Sequence, residues 1–144
     1  MLKYGYIRNL LMIAFVLALS FCRKENSTTL TGKWQLTAYH NLAAAAIETE
    51  PATISRSIIM EFSDNGRLGK MTGHTVTNTV SGAYEILDNH KMITTSFGGT
   101  KVGEPSWGNK FWTAIHTANA YERQGNKLFI FFAAGSEKME FTKK

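Results

Sequence analysis

The chain has 144 residues, 44% of them hydrophobic, and a formal net charge of +5, which suits one domain with its own apolar core. Its single cysteine, Cys22, excludes a disulfide within the monomer, so packing must hold the fold. The charge is modest and no Lys/Arg cluster accompanies it, which argues against a nucleic-acid partner.

The first residues read as an address. Lys3 and Arg8 precede a run from Leu10 to Phe21 that is apolar but for Ser20. Such a run has the ~7–15-residue length of a secretory signal core and falls short of the ~20 residues needed to span a bilayer. Leu19-Ser20-Phe21-Cys22 resembles a lipobox, in which the chain is cut before a cysteine that then carries diacylglycerol and palmitate. Phe21 departs from the small residue preferred there. The competing reading is cleavage after Ala18-Leu19-Ser20, which would leave Cys22 as a free thiol. On the first reading, residues 1–21 are signal, 22–30 a polar tether and 31–144 the domain. Removal of Lys3 and Arg8 lowers the net charge to +3. Arg23 stands where an aspartate would mark retention at the inner membrane. By that resemblance the expected location is the outer membrane, held there by the lipid.

Beyond the tether, apolar alternation between closely spaced turn signals predicts antiparallel strands. Thr31 to Tyr39 places Trp34, Leu36 and Ala38 on one face, and Arg56 to Ser63 places Ile58, Met60 and Phe62 on one face. Asp64-Asn65-Gly66 is a strong hairpin signal, because Asn and Gly tolerate positive φ. Thr79 to Leu87 turns Val80, Gly82, Tyr84 and Ile86 inward, and Asp88-Asn89-His90 reverses the chain into 91–96. Lys127 to Phe132 is apolar on both faces, which predicts cover by the barrel interior on one side and a helix on the other. Lys138 to Thr142 closes with Met139 and Phe141 on one face. One helix is expected over 105–119, with Pro105 and Ser106 at its start and a stripe of Trp107, Phe111, Trp112 and Ile115. The segment 41–52 is either a helical turn, favoured by four consecutive alanines, or a long loop.

The order of these pieces resembles the META domain of heat-inducible bacterial lipoproteins. Gly32 and Trp34 carry it first, then Phe62, Gly66 and Arg67. Asn78, Gly82 and Tyr84 follow, then Phe111 and Trp112, then Tyr121, Gly125, Asn126 and Leu128. The resemblance covers about residues 30–142. It implies a mainly β (α+β) fold: a small antiparallel, lipocalin-like barrel or curled sheet with one packed helix. It also implies a link to envelope stress, with no enzymatic activity attached to the domain. Many members carry a cysteine just before the matching asparagine and another ahead of the helix. Here the first position is Thr77 and no second cysteine exists.

No chemistry announces itself. His40, His74, His90 and His116 form neither H-x-H nor H-E-x-x-H, and a zinc site needs three or four convergent ligands. Glu48, Glu50 and Glu61 could pair for acid–base work, but Glu61 alternates with inward residues and the others sit in a loop. Gly98-Gly99-Thr100-Lys101 lacks the spacing of a phosphate-binding loop and reads as a mobile turn. No G-x-S-x-G elbow is present. No catalytic residue, metal or cofactor is expected. The aromatics remain: Trp34, Tyr84, Trp107 and Trp112 either fill the core or line a surface for a ligand or partner. The expectation is a non-enzymatic, lipid-anchored envelope protein that acts by binding an envelope partner or by supporting envelope integrity under stress. The alternative is a lipocalin-like carrier of a small apolar ligand, suggested by Gly32-x-Trp34 and the aromatic load.

Overall fold

A computed structural model describes residues 29–144. Cys22 and the signal segment lie outside these residues. The strands are β1 (Gly32–Asn41), β2 (Ala46–Thr49), β3 (Ile59–Asp64), β4 (Leu68–His74), β5 (Thr79–Leu87), β6 (Lys91–Gly99), β7 (Ala120–Gln124), β8 (Lys127–Phe132) and β9 (Glu137–Lys143), and the helix α1 (Ser106–His116) lies between β6 and β7. All pairings are antiparallel. The sheet order β1-β3-β4-β5-β6-β7-β8-β9 returns to β1 through the β1–β9 ladder, so the sheet curls into a ring. β2 flanks the second half of β1. The expected mainly β ring with one helix is the observed fold.

The turns follow local chemistry. Asn65 Oδ1 accepts from the Arg67 and Leu68 amides, and Gly66 takes the positive φ of 85° that the β3–β4 reversal needs. Gly125, at φ 58°, does the same between β7 and β8. The ring is weakest between β6 and β7, where one rung, Lys91 with Ala120, joins them. α1 packs there: its Trp107, Phe111, Ala114 and Ile115 join the core residues of the sheet. Thr94 Oγ1 donates to the Ile115 carbonyl at 2.6 Å and holds the helix to β6.

Four expectations need correction. The helix spans 106–116, shorter than 105–119. The segment 41–52 is neither helix nor long loop but a hairpin: Asn41 Oδ1 accepts from the Ala44 amide, Ala45 is left-handed at φ 51°, and β2 follows. Four alanines are too few to nucleate a helix against a waiting strand edge. Ala38 does not share the inner face of Trp34 and Leu36. A bulge between Leu36 and Ala38 pairs Ala38 with Glu140 and puts Tyr39, paired with buried Met139, inside. On β8, Leu128, Ile130 and Phe132 do face the core, but the outer side is not covered by the helix. Phe129 lies under Lys138, whose Nζ is 4.2 Å from the ring centre, and beside the His40 ring.

The chain enters the ring at a carboxylate. Asp64 Oδ1 accepts from Thr29 Oγ1 at 2.7 Å, and Oδ2 accepts from the Leu30 amide at 3.0 Å and from Tyr84 Oη at 2.8 Å. Leu30, assigned to the tether by sequence, is fully buried, and its carbonyl accepts from Trp34 Nε1. The domain therefore starts earlier than residue 31. Burial raises the Asp64 carboxyl, but the hydrogen bonds from Thr29, Tyr84, Gly66 and Leu30 outweigh it and hold the group below its usual range. The Tyr84 ring lies over Gly69, its cross-strand partner, where any Cβ would overlap the ring.

Two outcomes follow. Gly69→Ala should cost about 1–3 kcal/mol in urea unfolding, because ring and backbone must separate. Because Asp64 has a lowered folded pKa, its contribution is present above the ordinary carboxylate value of ~4 and is lost as pH falls through the lower folded value. Asp64→Asn should lower the melting temperature at neutral pH and flatten its decline below about pH 4.

Candidate functional site

The four sequence-selected aromatics separate. Trp34, Tyr84 and Trp107 are enclosed in the core. Tyr39 Oη donates to the Trp107 carbonyl, and the two rings meet edge-on at 4.5 Å. These three aromatics are structural and present no surface. Trp112 is different: it is partly buried against the core and lines a groove of about 440 Å³.

The groove lies where β6 runs out into the 100–105 loop and α1 begins. Phe97, Gly98 to Glu104, Asn109 and Trp112 form its walls, with Asn78 at its base. Phe97 meets Trp112 edge-on at 5.0 Å, and His116 stacks along Trp112. Gly98-Gly99-Thr100-Lys101, expected to be a mobile turn, is instead the end of β6 and the start of a bonded loop.

Asn78 holds that loop. Its Oδ1 accepts from the Val102 amide at 2.7 Å and from Thr100 Oγ1 at 2.9 Å. Its Nδ2 donates to Glu104 Oε1 at 2.7 Å and to the Val102 carbonyl at 2.8 Å. Glu104 Oε1 also accepts from Thr75 Oγ1 and lies 3.4 Å from Trp112 Nε1. Burial raises the Glu104 carboxyl, but bonds from Thr75, Asn78, Trp112 and Thr77 outweigh it, so the group is held below its usual range. Glu104 Oε2 is buried with no hydrogen-bond partner and rests on Gly108, in the first turn of α1. The positive end of the helix dipole offsets that carboxylate. The arrangement can hold a shape. Oε1 of its one carboxylate is committed to protein donors, and Oε2 is buried against the helix start.

Thr77 Oγ1 donates to the Gly103 carbonyl at 3.1 Å. The bond ties the segment before Asn78 to the loop ahead of α1. The other candidate residues stay apart. His40 pairs with Glu140 at 2.7 Å, His74 contacts the Thr75 carbonyl, His90 faces Tyr121, and His116 stays with Phe97 and Trp112. Among the described residues no three His, Cys, Asp or Glu side chains converge as a metal cluster. Glu48 pairs with Lys110, Glu50 bonds Gln35, and Glu61 is exposed. A second groove, about 300 Å³, lies between Asn89, His90, Tyr121, Arg123 and Phe131.

Sequence reasoning missed Phe97, Val102 and Glu104 as groove residues and saw Asn78 only as part of a pattern. A signal was present in Glu104-Pro105-Ser106, an acid just ahead of a helix start. Asn78→Ala removes the acceptor of the Val102 amide. Its hydrogen–deuterium exchange should quicken at least ~10-fold, with a global loss of about 1–3 kcal/mol.

The sequence profile of the META domain matches residues 28–144. No curated protein matches the chain. An NMR structure of a protein from Burkholderia xenovorans superposes with a TM-score of 0.61 at 17% identity, over 78% of this chain and 81% of that one. A crystal structure of a DUF4847-family protein from Bacteroides vulgatus superposes with a TM-score of 0.59 at 16% identity, over 79% of this chain and 93% of that one. At these identities the likeness is one of fold. The profile spans the ring, the helix and the groove loop together, and the chain belongs to the META domain family.

Proposed function

We propose that the protein is a lipid-anchored envelope protein without chemistry of its own, and that its META domain binds a partner or small apolar ligand in the groove at Trp112. One observation carries the reading: the point where the tether enters and the groove lie at opposite ends of strands β3 to β6. Thr29 and Leu30 are bound to Asp64, at the end of β3. The groove gathers around Asn78 and Gly99, which flank the other end of β5 and β6. A lipid on Cys22 would then hold the groove away from the membrane, facing the compartment. The groove suits an apolar guest with a few polar groups, because Phe97 and Trp112 supply the apolar wall and the loop supplies backbone groups.

The carrier reading survives only in altered form. Trp34, Leu36, Phe62, Tyr84 and Phe141 pack the inside of the ring, so a carried ligand would occupy the groove and not the interior.

Two measurements test the proposal. Palmitate labelling should mark the wild type and vanish in Cys22→Ala, which should leave the membrane fraction. Identical fractionation of the two would sink the anchor. An apolar fluorescent probe such as anilinonaphthalene sulfonate should brighten on the wild type and several-fold less on Trp112→Ala, with the two proteins melting within a few degrees of each other. Equal brightening would remove Trp112 from the site.

A further inference from the structure

We infer that the tether end of the domain is a membrane-contact face that lies on anionic phospholipid. The inference rests on the anchoring reading and adds an orientation to it.

The observation is a patch on the outer face of β4, β5 and β6. Leu68 pairs with Glu85, and Glu85 pairs with Ile93, so these three form one row across the strands. Leu87, two residues beyond Glu85 on the same face, pairs with Lys91. Leu68 is 55% exposed, Ile93 49% and Leu87 41%. Single exposed apolar residues are ordinary, but three on neighbouring strands at one end form a patch. Exposed Arg67, Lys70 and Lys91 surround it. The acids within it are Glu85, half-buried between Leu68 and Ile93, and exposed Asp88. Apolar side chains among cations make the composition of an interfacial surface.

The patch sits where the lipid would be. Leu68 opens β4 directly after the Asp64 turn, and Asp64 holds Thr29 and Leu30. Lys33, Lys143 and Lys144 cluster at the same end: Lys143 pairs with Trp34, and the Lys144 amide donates to the Lys33 carbonyl. The tether adds Arg23 and Lys24. The opposite end instead carries Glu48, Glu50, Glu104 and Glu137 beside its cations. The domain is therefore polarised along its strands, with the cationic end at the tether.

Reach decides between orientations. The six residues between Cys22 and Thr29 span at most about 25 Å when extended. A nine-residue strand such as β5 is about 30 Å long. The tether leaves the domain at the end that carries Leu68, Leu87 and Ile93, so these residues reach the bilayer that holds the lipid without the chain having to run the length of the domain.

The test uses the lipidated protein, in which acylation consumes the thiol of Cys22 and an introduced cysteine is the only one to label. Leu87→Cys, and Ala44→Cys in the exposed β1–β2 turn at the far end, receive an environment-sensitive nitrobenzoxadiazole label. Both are placed on phosphatidylglycerol–phosphatidylethanolamine vesicles containing brominated acyl chains. The Leu87 label should be quenched several-fold more than the Ala44 label, and less so when phosphatidylcholine replaces phosphatidylglycerol. Equal quenching on vesicle-bound protein overturns the membrane face and leaves the anchor standing. Emission at Leu87 that shifts with protein density and resists the brominated lipid assigns the patch to a second copy, which also overturns it. If the protein recovered from cells carries Cys22 as a free thiol that takes the label, and does not sediment with vesicles, the anchoring reading fails and this inference with it.

Discussion

The ring of strands is joined between β6 and β7 by a single rung, and the organisation of the domain depends on how that gap is filled. An open sheet would leave its apolar inner face in water. α1 closes it with Trp107, Phe111 and Ile115, side chains large enough to complete a core that the strands alone could not enclose. The helix is then secured at both ends. Thr94 takes the Ile115 carbonyl near its end, and the bonded loop of Asn78 and Glu104 fixes its start. The groove is a by-product of this closure, because the loop that delivers the helix must leave β6 and cross the mouth of the ring.

The same geometry separates two kinds of polar group. Asp64 and Glu104 lie at opposite ends of the domain, and each is held ionised by several donors against its burial. Asp64 receives the incoming chain, and Glu104 receives the loop that leads into α1. Both oxygens of Asp64 accept from Thr29, Leu30 and Tyr84, whereas Glu104 accepts from Thr75 and Asn78 through Oε1 and keeps Oε2 buried against the helix start. Removing a carboxylate that orders a chain segment acts on shape first.

The alternating pattern made much of the sheet legible. Ile58, Met60 and Phe62, and Val80, Tyr84 and Ile86, lie inside as their period of two requires. The stripe on α1 was readable for the same reason at a period of 3.6. The failures have physical causes. Ala38 was misassigned because a bulge inserts one residue and reverses every later face, which no local pattern announces. Ala43 to Ala46 form a turn and strand because the free edge of β1 outweighs a weak local preference for helix. The second apolar face of β8 suggested a helix above it, whereas the Lys138 ammonium lies over the Phe129 ring and the His40 ring meets it edge-on.

The sequence by itself determined the family and the antiparallel sheet with one helix. These depend on local composition, period and order, which a linear string contains. Only the tertiary structure decided which aromatics are core and which line a groove. Trp34, Trp107 and Trp112 are alike as letters, but burial is a property of what comes to lie opposite each ring. The tertiary structure also decided that Thr29 and Leu30 stand at the opposite end from the groove, because that separation is created by the register of β3 to β6 and by a carboxylate, Asp64, more than thirty residues along the chain from its partner Leu30.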